Sequence, residues 1–307
     1  VQEELFSGRV HLDPIESGLE LVLGSLEALA TAEPDPRERK HVVLDLAAGV
    51  GTLLRERLRQ EHWSLVFAEP GEAAREAYEG GDFAPVGMVE GLTRLAEVCG
   101  LQAPARWRWG IESLSRARNQ LESRGFVETK PVLAAIACAV VVPFVDSVPP
   151  ARLTELLTAL LARIQAKLQE LDSYVGDRLR RIAGRRPGES YLACPYCRME
   201  STLVVDGGPV CLYCGYTGEP EAVAGEYAQV MFDARDERIP YRCPGCRRET
   251  LLDVGRSEET PWYKCFACGR TWAMDDIVFC YSCGQPFETP DSDPDEDLCE
   301  KCRGERA

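Results

Sequence analysis

The 307-residue chain has no run of about 18 or more apolar residues, the length a helix needs to cross a bilayer. Its nearest approach, Val132 to Val145, is shorter and is interrupted by Pro143. Val1 to Arg9 lacks the basic-then-apolar layout of a secretory signal. The expectation is a soluble, cytoplasmic protein with no membrane partner. Histidine is almost missing: the three are His11, His41 and His62, so no imidazole lies beyond residue 62. Positive charge is short too. The net charge is -15, and residues 191–307 hold 12 Lys and Arg against 22 Asp and Glu. A tail this acidic is a poor partner for phosphate backbones, whose neutralisation dominates the affinity of most nucleic-acid binders.

What the chain does have is cysteine. Of its fourteen, twelve form six C-x-x-C pairs: Cys194/Cys197, Cys211/Cys214, Cys243/Cys246, Cys265/Cys268, Cys280/Cys283 and Cys299/Cys302. Taken two pairs at a time, the intervening gaps are 13, 18 and 15 residues, long enough for a short hairpin to return the second pair to the first. Two such turns supply the four soft ligands that tetrahedral Zn²⁺ takes at about 2.3 Å. Three structural zinc ions are therefore expected, each in a small β-rich ribbon, and each loaded site adds about two more negative charges, four thiolates against one Zn²⁺. Disulfides suit a secreted chain better than this one, and a redox C-x-x-C belongs in a βαβ setting that these pairs lack.

Neighbouring residues fit the same picture. Gly215, Gly269 and Gly284 each follow the second cysteine of a pair, where a tight turn calls for positive φ. Pro195 and Pro244 stiffen two of the first turns. Tyr196, Tyr213 and Tyr216, then Trp262, Tyr263, Phe266 and Trp272, then Phe279, Tyr281 and Phe287 supply small cores, or stacking platforms for a partner. Pairing in sequence order is the default. Interleaving stays open, because 11 residues separate Cys268 from Cys280. Asp291 to Asp297 reads as an acidic loop inside the third ribbon. Cys99 and Cys138, both in apolar surroundings, read as buried free thiols.

The first 186 residues read as helices. Ile15, Leu19, Val22, Leu23, Leu26 and Leu29 give residues 14–33 one apolar face, ended by Pro34 and Pro36. Residues 37–60 repeat the pattern, and 61–85 read as a loop with a short element around Ser64 to Ala68. Further helices are expected over 88–99, 108–124 and 130–145. The last, about 151–183, would span about 50 Å at 1.5 Å per residue. Its basic end, with Arg178, Arg180, Arg181, Arg185 and Arg186, is either a solvated last turn that suits the helix dipole or a small RNA-facing patch. Gly184, Pro187 and Gly188 mark a linker. The expected organisation is a helical domain over 1–186 and ribbons over 187–225, 226–275 and 276–307.

Two resemblances compete for the helical part. His41-Val-Val-Leu-Asp45-Leu-Ala-Ala-Gly49-Val-Gly51-Thr-Leu53 resembles the first motif of Rossmann-type methyltransferases, a strand and Gly-rich turn that cradle S-adenosylmethionine. It implies cofactor contacts from Asp45, Gly49 and Gly51, with Glu69 in the place of the ribose-binding carboxylate. The match covers about 30 residues, and no Asn/Asp-Pro-Pro-aromatic segment follows.

The other resemblance is to HEPN domains, helical bundles common in prokaryotic toxin–antitoxin and phage-defence proteins. It is carried by Ala48-Gly49-Val50 with Leu53-Leu54 and Arg57-Leu58, by Glu61 to Phe67, and by Leu114 to Phe126. It implies a helical bundle that dimerises. In active members an Arg and a His from two protomers cleave RNA without metal. Family members often carry Arg-Asn, then three residues, then His; here Arg118 and Asn119 match, but Ser123 stands where the His belongs. A hydroxyl does not shuttle protons near neutral pH without an activating base. The resemblance thus implies a retained fold without cleavage: a non-enzymatic protein that binds RNA or a protein partner. Metal-independent ribonuclease and methyltransferase are the enzymatic alternatives.

Overall fold

The computed structural model describes residues 12–31, 34–100, 103–147, 154–185, 191–205, 208–232, 239–255, 262–288 and 298–304. The expected acidic loop Asp291 to Asp297, His11, Arg186 and the Pro187–Gly188 part of the linker lie outside the described residues, as does the side chain of Cys99. Packing divides the chain into two compact units, Val1–Gly176 and Asp177–Ala307.

The described residues of the first unit form helices and loops. α1 (Pro14–Ala30) starts at Asp13, whose carboxylate accepts from the amides of Ile15 at 2.8 Å and Glu16 at 3.2 Å. α2 (Pro36–Glu61) starts on a reciprocal capping box: Asp35 accepts from the amides of Arg37 and Glu38, and Glu38 accepts from the Asp35 amide. Each helix thereby satisfies amide donors that its own ladder cannot. The amide of Glu38 is also what holds the Asp35 carboxyl below its ordinary range.

α1 and α2 approach backbone to backbone. A Cβ on Gly49 would stand 2.7 Å from the Gly18 carbonyl oxygen, and one on Gly18 would stand 2.9 Å from Leu53 Cγ. Leu19, Leu26, Leu29, Leu46, Val50 and Leu58 fill the seam around this crossing, all essentially buried.

This corrects the methyltransferase reading. Asp45, Gly49 and Gly51 lie inside one continuous 26-residue helix, with no strand and no Gly-rich turn. Gly49 is small because a neighbouring helix touches it. Glu69 is an exposed residue that leads into a 3₁₀ turn, Pro70–Glu72. No strand precedes it: Trp63–Val66 is a 3₁₀ turn.

The irregular segment that follows α2 includes α3 (Arg75–Gly80) and is held by a buried cation. Arg94, on α4 (Met88–Cys99), donates to the carbonyls of Leu65, Phe67 and Ala68 at 2.9, 2.7 and 3.0 Å. One guanidinium satisfies three carbonyls that no ladder reaches. α5 (Ala105–Arg124) and α6 (Lys130–Ser147) complete the core. Val132 to Val141 are buried on every side of α6, the pattern of a central helix.

α7 (Glu155–Arg185) contributes to both units. Thr154 Oγ1 accepts from the Leu157 amide at its start. Leu157, Leu161, Ile164, Leu168, Leu171 and Val175 give it a buried stripe in the first unit at helical spacing.

The second unit holds three small antiparallel sheets. The first comprises β1 (Leu192–Ala193), β2 (Glu200–Val205) and β3 (Gly208–Cys211). α8 (Pro220–Met231) follows, a helix across the expected border of the first two ribbons. The second sheet comprises β4 (Tyr241–Arg242), β5 (Glu249–Asp253), β6 (Trp262–Cys265) and β7 (Thr271–Ala273), and the third β8 (Ile277–Phe279) and β9 (Pro286–Glu288). α9 (Glu300–Gly304) is the last described element.

These sheets are not separate beads. Val223, Ala224 and Tyr227 of α8 share one apolar core with Leu192 of the first sheet and Leu252 and Phe266 of the second. Arg248 clamps Glu221 of α8 bidentately at 2.6 and 2.7 Å. The second and third sheets meet through Phe279, 5.0 Å from the Tyr241 ring and 5.8 Å from Tyr263, and through Trp272 Nε1, which donates to Glu288 at 3.2 Å. The chain is thus a mainly α N-terminal bundle followed by small antiparallel sheets that carry the cysteines.

Candidate metal centre

Each first-pair turn is built the same way. The amide of the residue after the second cysteine donates back to the carbonyl of the first: Arg198 to Cys194, Arg247 to Cys243 and Gly284 to Cys280, at 2.9, 2.8 and 2.7 Å. The amide of the first cysteine then donates to the carbonyl five residues on, as from Cys194 to Met199 and from Cys243 to Arg248. Gly215 and Gly269 close the second pairs of the first two groups by the same bonds. Closing the turn requires left-handed backbone. Gly215, Gly269 and Gly284 have φ of +80°, +72° and +68°, and Arg198 and Arg247 adopt φ of 61° and 64° in spite of their side chains. Every second cysteine is thereby turned to the side of the first.

Cys299/Cys302 is different. Cys302 lies on α9, and the amide of Arg303 donates to the Cys299 carbonyl as a helical bond. The third group combines one such turn with one helix end, which the C-x-x-C spacing alone did not distinguish.

The cysteines group in sequence order: Cys194, Cys197, Cys211 and Cys214; Cys243, Cys246, Cys265 and Cys268; Cys280, Cys283, Cys299 and Cys302. All four sulfurs of a group lie within 4.8 Å of one another. The Sγ–Sγ separations are 3.8 Å for Cys194–Cys214, 3.7 Å for Cys197–Cys211, 3.8 Å for Cys243–Cys268, 3.6 Å for Cys246–Cys265 and 3.8 Å for Cys283–Cys299. A disulfide would need about 2.05 Å. Four thiolates about 2.3 Å from a central ion form a tetrahedron with edges of about 3.8 Å. The three groups therefore have the geometry to hold a metal ion each. The first is the most enclosed, with only Cys214 short of fully buried, whereas Cys268 and Cys283 are exposed in the other two.

Hydrogen bonds at the sulfurs divide each group, pushing Cys197, Cys214, Cys243 and Cys302 up while favouring the thiolate at others. Cys265 receives them from Cys243, from the amides of Cys268 and Ala267 and from the Thr250 hydroxyl, and these hold it down to about 4. Cys280 is held at about 6, chiefly by the Cys299 amide. Cys211 lies well below the ordinary thiol range, with Cys194 the foremost cause.

Two hydroxyls belong to this shell. Ser201 Oγ lies 3.1 Å from Cys211 Sγ, and Thr250 Oγ1 lies 3.1 Å from Cys265 Sγ, both hydroxyl residues fully buried. They are equivalent positions in a repeated segment, Cys194-Pro-Tyr-Cys-Arg-Met-Glu-Ser201 and Cys243-Pro-Gly-Cys-Arg-Arg-Glu-Thr250. The backbone repeats too: Ala193 pairs with Glu200 as Arg242 does with Glu249, and Leu212 donates to the Ser201 carbonyl as Phe266 does to Thr250. The repeat was present in the sequence as the signal for these residues.

The first group is also tied to the end of α7. Arg178 donates from two nitrogens to the carbonyl of Tyr213, the buried residue between Cys211 and Cys214, and its guanidinium stands 5.3 Å from that ring. Tyr191 Oη donates to the Ile182 carbonyl at 3.0 Å. Arg180 pairs with Asp177.

The chain matches no protein-family model, no curated protein and no solved structure.

Arg118, Asn119 and Ser123 lie exposed near the end of α5. Arg118 pairs with Glu122 at 2.8 Å, and the Ser123 hydroxyl donates to the Asn119 carbonyl. Among the described residues, neither His41 nor His62 hydrogen-bonds to any of the three; His62 instead meets Ser64 through Nδ1 at 2.8 Å.

Proposed function

We propose that this is a non-catalytic zinc-binding protein whose three structural Zn²⁺ ions build a docking module for a protein partner. The observation that carries the reading is the closure of the three sulfur sets. Four thiolates at tetrahedral-edge spacing leave no position for water or substrate, the condition of a structural site. The donor set also favours zinc, which takes soft thiolates in tetrahedral geometry. The acidic balance of residues 191–307 favours a protein surface over a phosphate backbone. RNA binding has less support, because Arg178 and Arg180 at the basic end of α7 are engaged by Tyr213 and Asp177.

Retention of a HEPN-like fold without ribonuclease activity is consistent with the exposed, self-paired Arg118 and Ser123, and the homodimer that such a fold implies belongs to the same reading. Metal analysis of reduced, full-length protein should give about three Zn per chain. Pull-down with the zinc-loaded chain should recover a protein, and incubation with RNA should leave the RNA intact. A clearly lower zinc content would remove the basis of the proposal. RNA cleavage that Arg118→Ala abolishes would replace it with the ribonuclease.

A further inference from the structure

The first unit contains a cleft of about 470 Å³ between α5, α6 and α7. Packed interiors leave few voids larger than a water, and a cleft of roughly 300–1,000 Å³ between bundle helices is the size of a small-molecule site. Its wall is apolar where Trp107, Ala139 and Leu168 line it. Two charged side chains, Arg106 and Asp172, line it as well, and both are exposed. Neither takes part in a hydrogen bond or ion pair among the described residues.

We propose that this cleft binds a small zwitterion with an apolar body, its anionic group on Arg106 and its cationic group on Asp172. An anion alone would be drawn to Arg106 but repelled by Asp172 at the same cleft, and a cation alone would meet the reverse. A ligand with both charges satisfies both residues while its body covers the apolar wall. The Cys138 thiol on that wall is pushed up to about 11, by burial first and then by Asp172, with Arg106 opposing. A thiol in that range stays protonated at neutral pH. This inference concerns the helical unit and does not rest on the metal reading.

Three probes with one aromatic body separate the possibilities: 3-(benzyldimethylammonio)propanesulfonate as the zwitterion, benzenesulfonate as the anion and benzyltrimethylammonium as the cation. Each is titrated into zinc-loaded, full-length protein by calorimetry, with saturation-transfer NMR to detect weak contact. The zwitterion should bind at least about fivefold more tightly than either half, the scale of an exposed ion pair. Arg106→Ala should weaken the zwitterion and the anion but spare the cation, and Asp172→Asn should do the converse. Both residues are exposed, so neither variant threatens folding, which helical circular dichroism checks. Equal affinity for the three probes, no binding of any of them, or zwitterion affinity indifferent to both substitutions would overturn the proposal.

Discussion

The guanidinium of Arg178 donates to the carbonyl oxygen of Tyr213 at 2.8 Å and 3.2 Å and packs on the same residue's ring. Tyr213 lies between two candidate ligands, so the end of the long helix is bonded directly to the turn that would hold the metal. Removing the guanidinium takes a charged donor from a part-buried carbonyl, a loss of about 1.5–3 kcal/mol. Arg178→Ala should therefore lower the thermal midpoint of the metal-loaded protein and speed metal release. Arg180→Ala, which loses only a surface pair with Asp177, should change both little. Equal effects from the two variants would mean that the Tyr213 contact contributes nothing of its own.

Ser201 and Thr250 stand behind the sulfurs of the first and second groups. Each hydroxyl lies within hydrogen-bonding distance, 3.1 Å, of one sulfur of its group, and outer-shell partners of this kind typically change metal affinity by about 10–100-fold. Ser201→Ala and Thr250→Val should each speed zinc transfer to a chromogenic chelator in one kinetic phase, leaving the other phases unaltered. Thr250→Ser keeps the hydroxyl and should restore the slow rate. If Thr250→Val and Thr250→Ser release metal alike, the hydroxyl is only filling space.

How far these features could be read in advance depends on how local they are. α1, α2 and α7 announce themselves by apolar residues three and four apart, whereas α6 is a continuous apolar run. The C-x-x-C pairs carry their own turn chemistry within five residues. α8 was missed because Ala224 and Ala228 make a faint stripe, although Pro220 at its first turn was a usable start signal. The helical nature of Cys299/Cys302 has no mark in the spacing. The segment 41–53 was ambiguous, since Val42-Val43-Leu44 followed by glycines suits a strand and turn as well as a helix. What decides it is Gly18, on another helix, and a one-dimensional reading does not see that contact. The hydroxyls of Ser201 and Thr250 needed the comparison of one cysteine group with another.

The turns around the cysteines store strain where arginine stands in place of glycine. Arg247 holds φ of 64° with an exposed side chain, and left-handed backbone costs a non-glycine residue about 1–2 kcal/mol. Arg247→Gly should stabilise the metal-loaded protein by about that strain, read as a higher denaturation midpoint. Gly269→Ala should do the opposite for two reasons. It imposes the same strain at φ of +72°, and its Cβ would stand 3.2 Å from the Val204 carbonyl oxygen. A neutral Arg247→Gly together with a neutral Gly269→Ala would show that the turns are softer than their dihedrals indicate.

The two glycines of α2 give the clearest separation between helix packing and a cofactor turn. A Cβ on Gly49 would meet the Gly18 carbonyl oxygen at 2.7 Å, a backbone atom with nowhere to go, whereas a Cβ on Gly51 meets only the mobile end of Arg55 at 3.1 Å. Gly49→Ala forces α1 and α2 apart and should destabilise the bundle by about 1–3 kcal/mol, the range for overpacking a tight core. Gly51→Ala should be neutral or should stabilise, because alanine in a helix interior is about 1 kcal/mol better than glycine. Urea denaturation followed by far-ultraviolet circular dichroism distinguishes the two. A nucleotide-cradling turn makes a different forecast: both substitutions would leave stability alone and both would weaken S-adenosylmethionine binding in calorimetry. Similar stability for both variants with loss of that binding would reverse the assignment of residues 41–53 to helix packing.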